Sequence, residues 1–243
     1  MSAHFQCVLR QAFKTFQRDN LASFNANLQQ LKQLTDQLTY RDLHINEGLF
    51  RDDVPSIERA PCIYMPIFED ENFSMSLFIL RANSCIPLHD HPVMYGLLRG
   101  LWGQLKVQSY TQQLGSQESL VYDKNLTHIK VNAEEPSLIT ADTVSALLTP
   151  RKRNYHQITQ LGSGVAAFFD ILSPPYDANM PQYGPRRCRF YRPKTDVDGQ
   201  MELQRIPSPT SYYCDLAETP DTVLKCGFIC ANEAHGSHVT DMQ

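Results

Sequence analysis

Between residues 4 and 38 the apolar positions recur at helical spacing. Phe5, Val8, Leu9, Ala12 and Phe13 form one stripe, and Leu21, Phe24, Leu28, Leu31, Leu34 and Leu38 form a second. Side chains three and four positions apart share a helix face, so the pattern predicts two amphipathic helices with Asp19 and Asn20 as break and cap. Their apolar faces are expected to pack on the outside of a main domain, the alternative being partner docking. After the turn-rich segment RDDVPS the period shortens. CIYMPIF, FSMSLFIL, GQLKVQSY, SLVYD and AAFFDIL are short β-rich runs separated by turn-rich spacers, and this texture persists to about Tyr191.

Many short strands without long helices between them predict a mainly β sandwich or barrel, closed or doubled so that strand edges are protected. A small antiparallel barrel also offers a mouth for a ligand. The expected organisation is a helical segment over residues 1–46, packed on a barrel domain over 47–243 that carries a C-terminal extension. In that extension, from Pro193 onward, only SYYCDL reads as a strand, and the last dozen residues are expected to be loosely ordered.

Composition narrows the function classes. The chain has 243 residues, 42% hydrophobic and 20% charged, enough for one globular domain with a sizeable core. With 22 Lys+Arg against 26 Asp+Glu the net charge is -4, so there is no global electrostatic footprint for nucleic acid. No run reaches the roughly 18 apolar residues of a membrane span, and charges interrupt the N-terminus where a signal peptide would be apolar. The expectation is a soluble, cytoplasmic protein, a monomer with no membrane or nucleic-acid partner. Seven scattered cysteines without a secretion signal predict reduced thiols. Cys226 and Cys230 have three residues between them and no matching second pair, which argues against structural zinc.

Candidate chemistry centres on PLHDHPV, residues 87–93. Residues two apart in a strand point the same way, so His89 and His91 can aim into a barrel while Asp90 points away. Chance alone produces such short motifs readily, and the pair by itself carries little weight. Pro87 and Pro92 stiffen the backbone on both sides, and His156 precedes another strand run. His156 reads either as a third metal ligand or as a hydrogen-bonded core or rim residue. His4, His44 and His128 lie in surface settings, and His235 with His238 forms a rival pair without a rigid scaffold.

PLHDHPVMYGLLRGLWGQLKV, PRKRNYHQI and AAFFDILSPPYD, in this order, resemble the cupin-fold thiol dioxygenases that include 2-aminoethanethiol (cysteamine) dioxygenases and plant cysteine oxidases. The resemblance implies a cupin, or double-stranded β-helix (jelly-roll), barrel with the helices outside. It implies Fe(II) held by His89, His91 and His156, with Asp170 and Tyr176 near the substrate. It further implies O2 as co-substrate and a thiol substrate, either cysteamine or the N-terminal cysteine of peptides and proteins. The product would be a sulfinic acid, and protein targets would make the activity a form of oxygen sensing.

Departures from the pattern are informative. Gly103 fits the glycine of a generic cupin motif, but Gly96 or Tyr95 stands where that motif has a glutamate ligand. Three neutral imidazoles without a carboxylate leave half of an octahedral shell open. Val93 stands where relatives have glycine, and Phe190 where some animal relatives have a tyrosine crosslinked to the cysteine matching Cys188. Tyr191 could replace that tyrosine only from the opposite strand face. Asp170 is a carboxylate in an apolar run, so burial should raise its pKa unless a partner compensates. It could equally be a strand-end residue satisfied by backbone donors, and Tyr176 a packing residue in a rigid turn. The contrasting reading of the whole chain is a catalytically silent metal- or ligand-binding cupin that acts as an interaction module.

Overall fold

In a computed structural model, residues 2–17, 21–51, 59–114, 122–182, 184–195 and 199–236 are described. Helices α1 (Ala3–Phe16) and α2 (Phe24–Asp36) occupy the two predicted stripes. The Ser2 hydroxyl caps α1 by accepting from the Phe5 N–H. The expected break at Asp19 and Asn20 lies outside the described residues.

Thirteen strands follow: β1 (Cys62–Glu69), β2 (Ser74–Leu80), β3 (Cys85–Asp90), β4 (Tyr95–Trp102), β5 (Gln104–Gln112), β6 (His128–Ala133), β7 (Ser137–Ile139), β8 (Ala146–Leu148), β9 (Tyr155–Leu161), β10 (Ala166–Ser173), β11 (Phe190–Thr195), β12 (Met201–Ile206) and β13 (Cys214–Leu216). They make a six-stranded sheet in the order β13-β1-β2-β10-β4-β8 and a seven-stranded sheet in the order β6-β12-β11-β3-β9-β5-β7. An additional β5–β6 pairing returns the second sheet on itself, so six antiparallel strands form a ring with protected edges. This is the mainly β cupin barrel expected from the sequence, with the two N-terminal helices on its outside.

Those helices decide where the core sits. Phe5, Val8, Leu9, Ala12 and Phe13 of α1 pack with Leu28 and Leu31 of α2 against Met75, Leu77, Phe169 and Ile171 of the six-stranded sheet. Aromatic edges lock the contact, with Phe13 and Phe73 ring centroids 5.1 Å apart. On the same strands the alternate residues Phe78 and Phe168 face inward and stack at 5.0 Å. β10 is thus buried on both faces and reads as an unbroken apolar run with Asp170 in it.

Two expectations are corrected. The extension contains two strands, β11 and β12, and a helix, α3 (Asp221–Gly236), in addition to the strand found in SYYCDL. Val223, Cys226 and Cys230 of α3, spaced by three and four, join the core beneath α1. Of the strand expected in SLVYD, Tyr122 and Asp123 lie outside any strand and the rest lies outside the described residues. Residues 237–243, including His238, also lie outside them. Among the described residues, no helix is long and apolar enough to cross a membrane.

The loop after β3 holds Val93 at φ 57, in the left-handed region that glycine adopts freely. A β-branched side chain there costs about 1–2 kcal/mol. Val93→Gly is expected to raise unfolding free energy by about 1 kcal/mol, measured by urea titration. A lower stability would mean that the half-buried side chain contributes more than the strain costs.

Candidate metal centre

The histidines come together because β3 carries a bulge. Ile86 pairs with Ile158 and His89 with His156, so three steps on β3 match two on β9. One extra residue, at Pro87 and Leu88, reverses the alternation. Ile86 and His89 therefore both face the space between the sheets, while Leu88 packs in the separate cluster with Tyr155, Tyr191 and Leu203. The backbone N–H of His91 donates to Asn154 O at 2.8 Å and extends the pairing one turn of the pleat further.

Ring centroids of His89, His91 and His156 form a near-equilateral triangle with sides of 4.9, 4.7 and 4.7 Å. All three are buried. Their available nitrogens lie within 4.8 Å of one another, the only such group of three His, Cys, Asp or Glu among the described residues. His89 Nδ1–H donates to Pro87 O at 2.8 Å, which leaves Nε2 as the ligand atom. The Tyr176 hydroxyl donates to Asp90 O and accepts from His91 Nδ1–H at 2.9 Å, which gives His91 the same tautomer. His91 Nε2 then meets His156 Nε2 at 3.1 Å. Without an ion His156 Nε2–H can donate across this gap; with both nitrogens unprotonated, one ion at metal–nitrogen distances of about 2.0–2.1 Å fits between them.

Burial holds the imidazoles neutral, as a ligand must be. It brings His89 down to about 4 and, with mutual repulsion, puts His91 well below its ordinary value. His156 is lowered in the same way by burial and by His89.

The cavity above the histidines has a volume of about 110 Å³. Phe78, Ile86, Ile158, Phe168 and Leu172 make its apolar walls, with Asp170, Tyr176, Cys188, Phe190 and Tyr212 around them. Asp170 projects from the inner face of β10, and burial pushes its carboxyl up to about 7. Phe190 pairs directly with His89. Tyr191 points the other way, its hydroxyl donating to Asp90 Oδ2 at 2.9 Å, so it is turned away from Cys188. Cys188 is exposed, with Tyr176 as its neighbour.

The generic cupin glutamate has no place here. Gly96 is on the inward face of β4, and a Cβ there would lie 2.8 Å from Leu148 Cγ and 3.0 Å from Leu172 Cδ2. Tyr95 faces the helices, its ring 4.9 Å from that of Phe24. Gly103 has φ 64 at the β4–β5 turn, and a Cβ there would lie 2.4 Å from Val165 O. His4 Nε2 bonds Leu34 O, and His44 and His128 are exposed; none is near the centre.

Sequence reasoning missed the supports behind the ligands. Asp90 points away from the cavity as expected but is 0% exposed. Its carboxylate accepts from Arg189 N–H at 2.8 Å and from Arg189 Nε at 2.8 Å. Burial raises Asp90, and Arg189 is the main influence that opposes it. Burial also lowers Arg189, but the Asp90 carboxylate outweighs this and leaves it raised. Arg186, also 0% exposed, donates to Pro92 O at 2.7 Å and Pro175 O at 3.2 Å. It ties the loop of His91 to the loop of Tyr176. Nothing local in RRCRFYRP marks Arg186 and Arg189 as buried; only partners distant in sequence reveal them.

Residues 26–224 match the family model PCO_ADO. The 2-aminoethanethiol dioxygenase of Mus musculus is 31% identical over 245 residues, covering 88% of this chain and 94% of the mouse protein. That of Homo sapiens is 34% identical over 210 residues, covering 79% of this chain and 72% of the human protein. Plant cysteine oxidase 2 of Arabidopsis thaliana is 28% identical over 169 residues, covering 68% of this chain and 56% of the plant protein. With the three-histidine centre in place and the family model spanning most of its length, the chain belongs to the PCO_ADO family.

Proposed function

We propose that this protein is an Fe(II)-dependent thiol dioxygenase that converts a thiol and O2 into a sulfinic acid, both oxygen atoms ending on sulfur. The observation that carries the reading is a cluster of three buried, neutral imidazoles without a carboxylate, under a small apolar cavity, in a chain of this family. Iron would be held by His89, His91 and His156, and when bound it supplies a Lewis-acidic, redox-active centre that favours the substrate thiolate.

The protein's own contribution is placement. Pro87 O and the Tyr176 hydroxyl hold His89 and His91 as single tautomers, with their Nε2 atoms inward. Tyr176 therefore acts as a positioning residue through His91. Asp170 faces the cavity and is suited to hold the substrate ammonium, whose positive charge would return its carboxyl to the ionised form. Phe78, Phe168 and Leu172 exclude water, which strengthens that attraction.

About 110 Å³ corresponds to roughly four waters, enough for cysteamine or for one N-terminal cysteine side chain and amine. A more open groove of about 500 Å³, lined by Thr127, Arg189, Arg205 and Pro207, shares Cys188 and Phe190 with the cavity. It provides room for the rest of a peptide. The substrate class is thus a small thiol or a protein with an N-terminal cysteine; with protein targets, turnover would report oxygen supply in the cytoplasm. We take the working form to be a monomer.

The test is anaerobic loading with Fe(II), addition of cysteamine or a peptide beginning with cysteine, admission of oxygen, and mass spectrometry of the product. A gain of two oxygens on the thiol is expected. No product with either thiol at full iron occupancy would leave a silent, metal-binding cupin.

A further inference from the structure

A second group of nucleophiles sits beside the cavity, at the edge of the six-stranded sheet. β13 pairs in parallel with β1, and the register sets Cys62 opposite Cys214, Ile63 opposite Asp215 and Tyr64 opposite Leu216. Paired residues on adjacent strands share a face. They lie about 4.7–4.9 Å apart, within the about 4.4–6.8 Å spanned by Cα atoms joined through a disulfide. In the reduced protein the Cys62 thiol donates to Ile63 O at 3.4 Å, so it carries no link to Cys214. Their surroundings differ: Cys62 is 0% exposed, whereas Cys214 is open to solvent.

Tyr212 completes the group. The Cys214 thiol meets the Tyr212 hydroxyl at 3.6 Å, and that hydroxyl donates in turn once the thiol ionises. Tyr212 also lines the cavity over the histidines, with its ring centroid 6.1 Å from that of Phe190. The neighbouring Cys62 is the largest influence on the Cys214 thiol and holds it below its ordinary value, while Cys214 and burial raise Cys62. An exposed thiol set in register with a buried one has the arrangement of an attacking and a resolving pair.

We propose that Cys62 and Cys214 form a redox modification site, which takes a low-molecular-weight disulfide of the glutathione type as its oxidant. The Cys214 thiolate attacks one sulfur of that disulfide, the sulfur–sulfur bond breaks, and one thiol departs. Cys62 then gives up its proton and attacks Cys214 Sγ, releasing the second thiol. Two protein thiols become one disulfide, the oxidant is reduced to two thiols, and the protons from Cys62 and Cys214 end on them.

The product would fasten the strap that carries Tyr212. In the reduced protein β13 is held to β1 by its short ladder and by the Ala217 N–H donating to Tyr64 O at 2.9 Å. A covalent link at Cys62 would keep this wall of the cavity in place when those bonds open.

The test uses the whole reduced protein, folded and exposed to oxidised glutathione, then quenched and read by intact mass and peptide mapping. The expected wild-type product lacks two hydrogens and two free thiols, joins the peptides containing Cys62 and Cys214, and is restored by dithiothreitol. Cys62→Ser should stop at a stable glutathione adduct on Cys214, with Cys62→Ala as the second variant should the hydroxyl disturb the core. Cys214→Ser should give neither adduct nor link. A wild-type protein that joins other cysteines, such as Cys226 with Cys230, would overturn the assignment. So would a lasting adduct on Cys214 beside a reduced Cys62. All readouts are masses, so they stand apart from any measurement of thiol oxidation by the enzyme.

Discussion

His156→Ala is expected to abolish iron retention and turnover together while the barrel remains folded. His156 comes from β9 and the other two imidazoles from the β3 region, so the variant removes the one ligand that spans the two strands. Loss of a hydrogen-bonded group behind a ligand already costs about 10–100-fold in metal affinity, so removal of the ligand itself should exceed about 100-fold. His91 Nε2 would also lose its neighbour at 3.1 Å, and with it the cluster would lose its third member. Iron per chain after desalting, oxygen uptake with cysteamine, and far-ultraviolet circular dichroism make the measurement. Normal iron content with normal uptake would mean that the third ligand is misassigned. A fold lost with the metal would show instead that this ring is needed for packing.

Arg189→Met should cost about 3–5 kcal/mol of stability, because it leaves the Asp90 carboxylate buried without its cation. Asp90 is 0% exposed, and the Arg189 side chain donates to it at 2.8 Å. At about 2–4 °C of melting temperature per kcal/mol for a chain of this size, the transition should fall by roughly 10 °C. The penalty carries a sign in pH. Without the guanidinium, burial keeps the Asp90 pKa above its unfolded value near about 4, so the folded variant binds more protons and loses stability as pH rises through that range. The gap between wild type and variant should therefore widen as pH rises above about 4. Asp90→Asn combined with Arg189→Met should recover part of the loss, as a double-mutant cycle would show. A pH-independent difference below about 1 kcal/mol would place the ion pair among the weak surface kind. Because the Asp90 carbonyl accepts from Tyr176, which in turn holds His91, the variant should also weaken iron binding.

The outer helices were legible because their apolar residues repeat at about 3.6 positions, and β1, β2, β5 and β10 because short β-rich runs stand between turn-rich spacers. The histidine pair was legible because two residues apart share a face. α3 was not, since its three buried residues, Val223, Cys226 and Cys230, stand beside the exposed apolar residues Leu224, Phe228 and Ile229, which blur the amphipathic period. β11 and β12 were hidden by charge: Arg192, Lys194, Glu202 and Arg205 decorate a hairpin that buries only Tyr191 and Leu203 fully. Tyr176 was visible as a candidate, but its contact with His91 depends on a loop 85 residues away.

By itself the chain determined its mainly β architecture, its external helices and a histidine motif whose order and context mark the family. These are properties of local periodicity and of short segments, which physical chemistry reads residue by residue. Only the tertiary structure decided that the β3 bulge turns His89 toward His156, that Leu148 and Leu172 leave no room for a carboxylate at Gly96, and that Asp90, Arg189 and Arg186 brace the ligands. Each of these depends on the burial of groups far apart in sequence, where desolvation makes a partner obligatory and only the folded packing determines which partner is within reach.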